Sequence, residues 1–431
     1  MKTKSSLSFF TALTLFSLIG QIAWVVENMY LNVFMYKMFH ASATDISAMV
    51  AASAVTATLT TVLIGALSDK LGRRRVFISV GYILWGLSIL AFLLLREDIL
   101  SALFPTAISV SAIGVTLVIV LDCVMTFFGS SANDAAFNAW LTDSVDETRR
   151  GKAEGVNAMM PLVAILAVFG GFMAFDLDKA NSWSIIFAII GGVVLLVGVL
   201  GFFLVKEPPI APVNDPYLKT VVYGFLLSSV KKAPDLYLRL AAFLLFNTSI
   251  QVFMPYLILY YEVSLGMTNY VLIMAPAILI ASAVTVLWGR VYDKRGFSFS
   301  VTVSLSWLAI GYLLLFLFTD TALVFIGSLL MMCGYLSGMA VFGAVIRHET
   351  PVGKSGMLQG VRIFSQVLVP GVVGPMLGAL VLRGAETVKN SDGTESFVPS
   401  AFIFLAALLI LVPLALLLLL TAKIRKKASK G

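Results

Sequence analysis

The sequence predicts an all-α membrane protein, with twelve transmembrane helices arranged as two six-helix pseudo-symmetric bundles. Three observations predict it. The chain of 431 residues is 59% hydrophobic and only 12% charged, far more apolar than a soluble globular protein of ordinary make-up. Apolar runs near the ~20 residues that an α-helix needs to cross a bilayer recur along its whole length. The chain also repeats itself once, at the scale of half its length.

In order, the runs fall at 8–37, 45–68, 75–95, 120–144, 155–176, 183–205, 236–261, 268–292, 299–318, 321–346, 356–382 and 399–421, and are numbered here as spans 1 to 12. Span 1 follows Lys2 and Lys4, as a signal peptide would, but it is too long and has no small-residue cleavage site, so it reads as a retained helix. Cys123 and Cys333 both lie inside apolar runs, where they behave as small hydrophobes; a disulfide framework is excluded. The net charge of +7 comes from bases set beside the spans and not from one patch, so the expected partner is the lipid bilayer and not nucleic acid. With the N-terminus inside, the loops on its side carry 24 of the 30 Lys and Arg, against Lys37, Arg96, Lys179, Arg383 and Lys389 on the other side and Arg362 within a span. The positive-inside rule then places both termini in the cytoplasm of a plasma or bacterial inner membrane.

The repeat is read from two pairs of loops. "GALSDKLG" (65–72) and "GRVYDKRG" (289–296) share Gly, Asp-Lys and Gly at identical spacing, 224 residues apart, each after the second span of its half. "ETRRGK" (147–152) and "ETPVGK" (349–354) share Glu-Thr and Gly-Lys, 202 residues apart, each before a fifth span. The expected organisation is an N-terminal bundle over 1–206, a cytoplasmic linker over 207–235 with an amphipathic segment, and a C-terminal bundle over 236–431. The two halves are not equal. Asp69 to Glu147 spans 78 residues and Asp293 to Glu349 spans 56, and the surplus must lie within the outer connection at 96–117, too short for two further crossings. It is expected to form an outer-face helix or an outward extension of span 4, with Pro105 breaking its start.

Span 4 carries an unescorted carboxylate. The 202-residue offset puts Asp134 near the middle of the span, opposite Leu336 in the other half. An acid at that depth costs a few kcal/mol on insertion scales and faces a bundle interior, a partner or a water-filled path. Ser130, Asp134 and Asn138 are spaced to form one stripe on a regular helix, with Thr126 and Thr142 near its ends. Span 1 offers a second wall: Gln21, Asn28 and Asn32 on one face, Trp24 between them and Glu27 beside Asn28. In the other half, span 7 carries Asn247 and Gln251, with Tyr256 at the repeat position of Tyr30, and span 11 carries Arg362 between Gln359 and Gln366. Amides, a carboxylate and a tryptophan face suit a polyhydroxylated ligand.

Each residue also has a plainer role. Transmembrane amides often only bridge helices, for about 0.6 kcal/mol apiece. Trp24 is as well explained by packing as by stacking. Glu27 reads either as buried or as hydrated near the outer interface, and Asp122 as solvated at the outer end of span 4. Asp134 and Arg362 are alternatively an internal ion pair, or Arg362 lines the inner vestibule. "HETPVGKS" (348–355) lacks the first Gly of a phosphate-binding loop and follows no strand, so ATP-driven transport and enzyme chemistry find no support. His40 and His348 stand alone, and neither a metal nor a cofactor is expected.

The loop "GALSDKLGRRR" within a twelve-span, two-half chain resembles the major facilitator superfamily signature, at Gly65, Asp69, Gly72, Arg73, Arg74 and Arg75. In its N-terminal half, Asn-Met-Tyr-Leu at 28–31 and the span-4 Asp followed by aromatics are similar to the glycoside-pentoside-hexuronide:cation symporters. The resemblance implies the major facilitator fold, a latch role for Asp69, with Asp293 its counterpart, and a sugar or glycoside taken up with a cation. Sodium-using members carry two acids in span 2, where 48–65 has none, and the family's span-1 acid is represented by Gln21. A proton is therefore favoured over sodium, carried by Asp134 or Glu27, since a desolvated carboxylate binds a proton more readily. The expected protein is a monomeric secondary transporter in which two bundles rock about a site near the midplane; the alternative is a proton-driven exporter of drugs, lipids or other amphipathic small molecules. If Asp69 closes the cytoplasmic side, Asp69→Ala shifts the population toward inward-open. Cysteine labelling from either side reads that shift, and unchanged accessibility removes the role.

Overall fold

The computed structural model describes residues 2–145, 147–206, 223–350, 355–389 and 394–428. The chain divides into two compact units, Met1–Asp215 and Pro216–Gly431. Among the described residues, the first unit holds Ser8–Phe39, Ala43–Gly65, Arg74–Leu94, Val110–Ser144, Lys152–Phe172 and Ala180–Leu204 as helices long and apolar enough to span a membrane. The second holds Pro234–Ser264, Val271–Leu317, Thr321–Glu349, Gly360–Val381 and Phe402–Lys423.

One of these crosses twice. Val271–Leu317 has 47 residues and would be about 70 Å long if straight, more than twice a hydrocarbon core of ~30 Å. Gly296 interrupts it at φ 74, ψ −178. Beyond the break the chain turns back, because the rings of Trp288 and Trp307 lie 4.5 Å apart. The segment thus supplies spans 8 and 9, which brings the described crossings to twelve.

The ends of the spans follow local chemistry. Ser42 and Asp45 form a reciprocal capping box at the start of span 2, with Ser42 N donating to Asp45 at 2.9 Å and Asp45 N to Ser42 at 3.2 Å. At its other end Gly72 takes the left-handed conformation, φ 61, and its amide closes on the Ser68 carbonyl at 3.0 Å. Gly296, 224 residues later in the repeated loop, is also at positive φ. This is why the duplicated loop keeps its final glycine: a β-carbon there is strained. Asp320 caps span 10 by accepting from Ala322 and Leu323 N–H.

Several boundaries differ from the sequence reading, span 4 by the most. Span 4 begins at Val110, not 120, because Ser109 caps it by accepting from Ala112 N. Span 7 begins at Pro234 in place of 236, proline being suited to a first helical turn. Spans 11 and 12 are joined by an unforeseen hairpin, β1 (Thr387–Lys389) antiparallel to β2 (Glu395–Phe397), with Val388 opposite Ser396. Most of the expected linker, 207–222, lies outside the described residues; the rest includes a short helix, Leu227–Lys232.

The surplus of the first half is partly a seven-residue helix, Glu97–Leu103, and partly the early start of span 4. Pro105 follows the short helix and does not begin the next. Ser101 and Thr106 are exposed, and Ser111 is half-buried with its hydroxyl donating to the Phe39 carbonyl. In a background lacking Cys123 and Cys333, Ser101→Cys and Thr106→Cys react fast with an impermeant maleimide from outside, and Ser111→Cys reacts slowly. Labelling from the cytoplasmic side alone overturns the charge-based orientation.

Candidate functional site

Spans 1 and 4 both leave regular α-helix inside their apolar length. Val26–Tyr30 and Ser130–Phe137 are wide π turns, a geometry that costs hydrogen-bond quality and concentrates at functional positions. Glu27 sits on the first and Asp134 on the second. Ser130 Oγ donates to Asp134 Oδ2 at 3.1 Å. Asp134 is half-buried while Asn138 is exposed, and the Asn138 amide is anchored to its own helix through the Asp134 carbonyl at 3.1 Å.

Glu27 is fastened across three helices. Its Oε1 accepts from Thr126 of span 4 at 2.7 Å and from Ser53 of span 2 at 3.1 Å, and the two hydroxyls lie 2.7 Å apart. It is 5% exposed, so the hydrated alternative for Glu27 is corrected. Asp122, expected to be solvated, is 1% exposed. The reason is the length of span 4: starting at Val110, it runs more than three turns before reaching Asp122. Asp122 lies one turn from Thr126 on the same helix.

A second polar chain ties the same spans. Asn133 Nδ2 donates to Tyr82 Oη at 2.6 Å, and Tyr82 Oη donates to the Phe16 carbonyl at 2.7 Å. Gly20 makes room for it, since a Cβ there would stand 2.2 Å from Asn133 Nδ2.

The remaining span-1 candidates divide by exposure. Gln21 and Trp24 are half-buried, and Trp24 lies 5.1 Å from Trp85, ring to ring, with its indole N–H buried and unpartnered. Asn28 is exposed, with its amide donating to the Trp24 carbonyl at 2.8 Å. Asn32 is buried, donates to the Asn28 carbonyl at 3.1 Å, and leaves its Oδ1 without a donor.

In the second unit, Asn247 is buried and donates to the Phe243 carbonyl at 2.8 Å. Gln251 is half-buried against Gly374, where an added Cβ would meet its own at 2.5 Å. Tyr256 is wholly buried and donates to the Pro375 carbonyl at 3.1 Å. Both therefore pack on span 11, where Arg362 and Gln366 are half-buried one turn apart. The Gln359 and Asp69 side chains lie outside the described residues.

Of the loop bases, Arg73 is exposed and Arg74 is buried. Arg74 Nε donates to Asp143 Oδ2 at 3.1 Å and its Nη1 to Ser68 Oγ at 2.5 Å, which ties the 2–3 loop to the end of span 4. Asp293 is exposed. The second unit places Arg239 against Glu349, 3.4 Å between Nε and Oε1, with the guanidinium 4.1 Å from the Phe297 ring centre. Sequence reasoning missed Ser53, Tyr82, Asn133, Arg74 with Asp143, and Arg239 with Glu349. Arg74 in the signature loop and the Glu349 repeat of Glu147 were signals for one member of each ion pair, not for its partner.

Residues 6–364 match the family model described as Major Facilitator Superfamily. No curated protein matches the chain by sequence. A crystal structure of a bacterial homolog to the human lysosomal transporter Spinster, inward-facing and unoccupied, superposes with a TM-score of 0.71 at 16% identity, covering 98% of both chains. Its occupied form gives 0.70 at 14%, over 98% of this chain and 97% of that one. The nucleoside transporter NupG gives 0.68 at 12%, over 96% and 98%. At these identities the likeness is one of fold.

Arg74→Ala is expected to lower unfolding stability by about 1.5–3 kcal/mol, the range for hydrogen bonds to charged groups, while Arg73→Ala stays within about 0.5 kcal/mol. Thermal unfolding in detergent reads both; equal effects would show that the loop bases act only as a charge signal.

Proposed function

The chain belongs to the major facilitator superfamily and is a membrane transporter, not an enzyme; from that premise we propose that it couples uptake of a sugar or glycoside to a cation by alternating access. One observation carries the reading. Asn28 and Asn138 are exposed within spans 1 and 4, on the two helices whose π turns hold Glu27 and Asp134. Amides exposed at such depth are tolerated where they line water and not lipid.

On this reading Gln21, Trp24, Asn28, Asn32, Asp134 and Asn138 form the cargo-binding wall of the first unit, and Asn247, Gln251 and Arg362 are the contacts of the second. Tyr256 acts from behind, holding the span-11 backbone. Asp134 is the favoured proton carrier: it is half-buried, with the Ser130 hydroxyl donating to one of its two carboxylate oxygens. A proton arriving there needs no further ligands. Glu27 is the second coupling group.

The reading is tested in proteoliposomes with a panel of sugars, glycosides and nucleosides, the last because one structural neighbour is named as a nucleoside transporter. Wild type accumulates at least one glycoside against its gradient when the outside is acidic. Asp134→Asn keeps counterflow exchange and loses accumulation, because the amide preserves shape and hydrogen bonding but does not titrate. Full accumulation by Asp134→Asn removes the proton role; extrusion of amphipathic dyes with no glycoside transport replaces uptake with the exporter reading.

A further inference from the structure

The first unit has a cavity that none of the proposed cargo residues lines. It lies where spans 1, 3 and 6 reach the limit of their apolar length, at the end opposite Arg74 and the basic 2–3 loop. We propose that this cavity binds the headgroup of a phospholipid that carries a primary amine, an ethanolamine phosphodiester. The cavity measures about 230 Å3, room for several waters or for one compact polar group. Its floor is aromatic and buried: the rings of Phe34 and Trp183 lie 5.2 Å apart, and those of Phe92 and Phe187 lie 5.1 Å apart. Its walls are charged, and Lys37, Arg96, Glu97 and Asp178 all contribute to them.

The charged walls narrow the ligand. Lys37 holds its ammonium inside, with a side chain 8% exposed, and its Nζ lies 3.0 Å from Asp178 Oδ1, whose own side chain is 78% exposed. Arg96 is fixed before any ligand arrives: Nε and Nη2 donate to Asp98 at 3.0 and 3.3 Å, and Nη1 donates to Asn181 and Ser184 at 3.0 and 3.3 Å. Those four bonds set the guanidinium plane against span 6 and leave one of its five N–H groups to give. The two bases suit a phosphodiester, through charge-assisted hydrogen bonds. Two carboxylates in the same cavity repel a net anion and suit a zwitterion instead. A primary ammonium donates to Glu97 or Asp178, whereas a quaternary ammonium has no N–H to offer. The surroundings favour a lipid over a free molecule. Leu94, Ile185 and Ile189 are exposed on spans 3 and 6, next in sequence or within a turn of the lining residues Leu95, Ser184 and Phe187, and form an apolar strip for acyl chains. The connection that follows exposes Leu103, Phe104 and Ile108 as well, as a segment resting in the headgroup layer does.

The site stands apart from the cargo reading, and its test uses neither cargo nor gradient. Thermal unfolding of the full-length purified protein in detergent is followed as phosphatidylethanolamine, phosphatidylcholine, phosphatidylglycerol or soluble glycerophosphoethanolamine is added. Wild type shows a saturable rise in Tm with phosphatidylethanolamine, half-saturating at a concentration about tenfold or more below that of the other two lipids. The soluble headgroup gives no rise over the same range. Arg96→Ala raises the half-saturating concentration of phosphatidylethanolamine about tenfold. Glu97→Gln, a swap at an exposed side chain that serves if Arg96→Ala does not fold, brings phosphatidylcholine to within about threefold of phosphatidylethanolamine. Lys179→Ala removes a base that does not line the cavity and is paired with Asp176 at 3.0 Å, and it keeps the wild-type preference. Equal responses to the three lipids, or an unchanged preference in both Arg96→Ala and Glu97→Gln, overturns the site. A preference lost in Lys179→Ala as fully as in Arg96→Ala reduces it to general surface charge and overturns it too. Saturation by the soluble headgroup as readily as by the lipid overturns the lipid as its source.

Discussion

A charged side chain inside an apolar span must be answered by the protein itself, and much of the first unit is arranged around that demand. The Glu27 carboxylate draws Ser53 from span 2 and Thr126 from span 4 to one oxygen. Asp134 draws Ser130 from its own π turn, and Arg74 draws Asp143 and Ser68. In each case small hydroxyl side chains supply the donors or acceptors, because serine and threonine add a polar group with little volume to accommodate between close-packed helices. The Glu27 contacts thus tie together the faces of spans 1, 2 and 4 that meet there.

The second unit solves a different problem with the same repeat. Its equivalent of Asp134 is Leu336, and its interior polarity comes from amides and buried tyrosines: Tyr256 on the Pro375 carbonyl, Tyr260 on that of Leu315, and Tyr261 with Ser328 at 2.6 Å. Neutral hydroxyls cost less to bury than carboxylates. Its interior also holds aromatic clusters, as in Phe253 with Tyr312 and with Phe404 at ring separations of 5.4 and 5.5 Å. What the repeat keeps is a glycine at positive φ in the loop, Gly72 at φ 61 and Gly296 at φ 74, and not interior chemistry.

This division explains what the sequence could and could not disclose. Span number, duplication and the basic loops depend on composition and spacing, which one sequence displays. The doubling within Val271–Leu317 was legible because "GRVYDKRG" repeats an earlier loop, even though the helix runs on with a single break. Glu27 and Asp134 were legible as acids in apolar runs. Their partners were not: Ser53 sits in "AASAVTATLTT", where nothing distinguishes it from its neighbours, and its role comes from a contact between spans. The π turns were equally hidden. A stripe drawn at regular helical spacing through Ser130, Asp134 and Asn138 therefore misjudged how the three differ in exposure.

The inequality between the halves accounts for the most consequential misreading. Span 10 begins at Thr321, whose equivalent in the first half is residue 119, yet span 4 begins nine residues earlier at Val110. Those residues add about 13 Å of helix. Without them Asp122 would lie one turn from a helix end, within reach of water, where an acid needs no partner. With them it is buried, one turn from Thr126, and its position in the other half is taken by Val324, which is fully buried. The buried Asp122 and the surplus of the outer connection therefore occur together in the same half. An insertion that looks like padding in the sequence extends the helix, and the extension converts a surface carboxylate into an interior one.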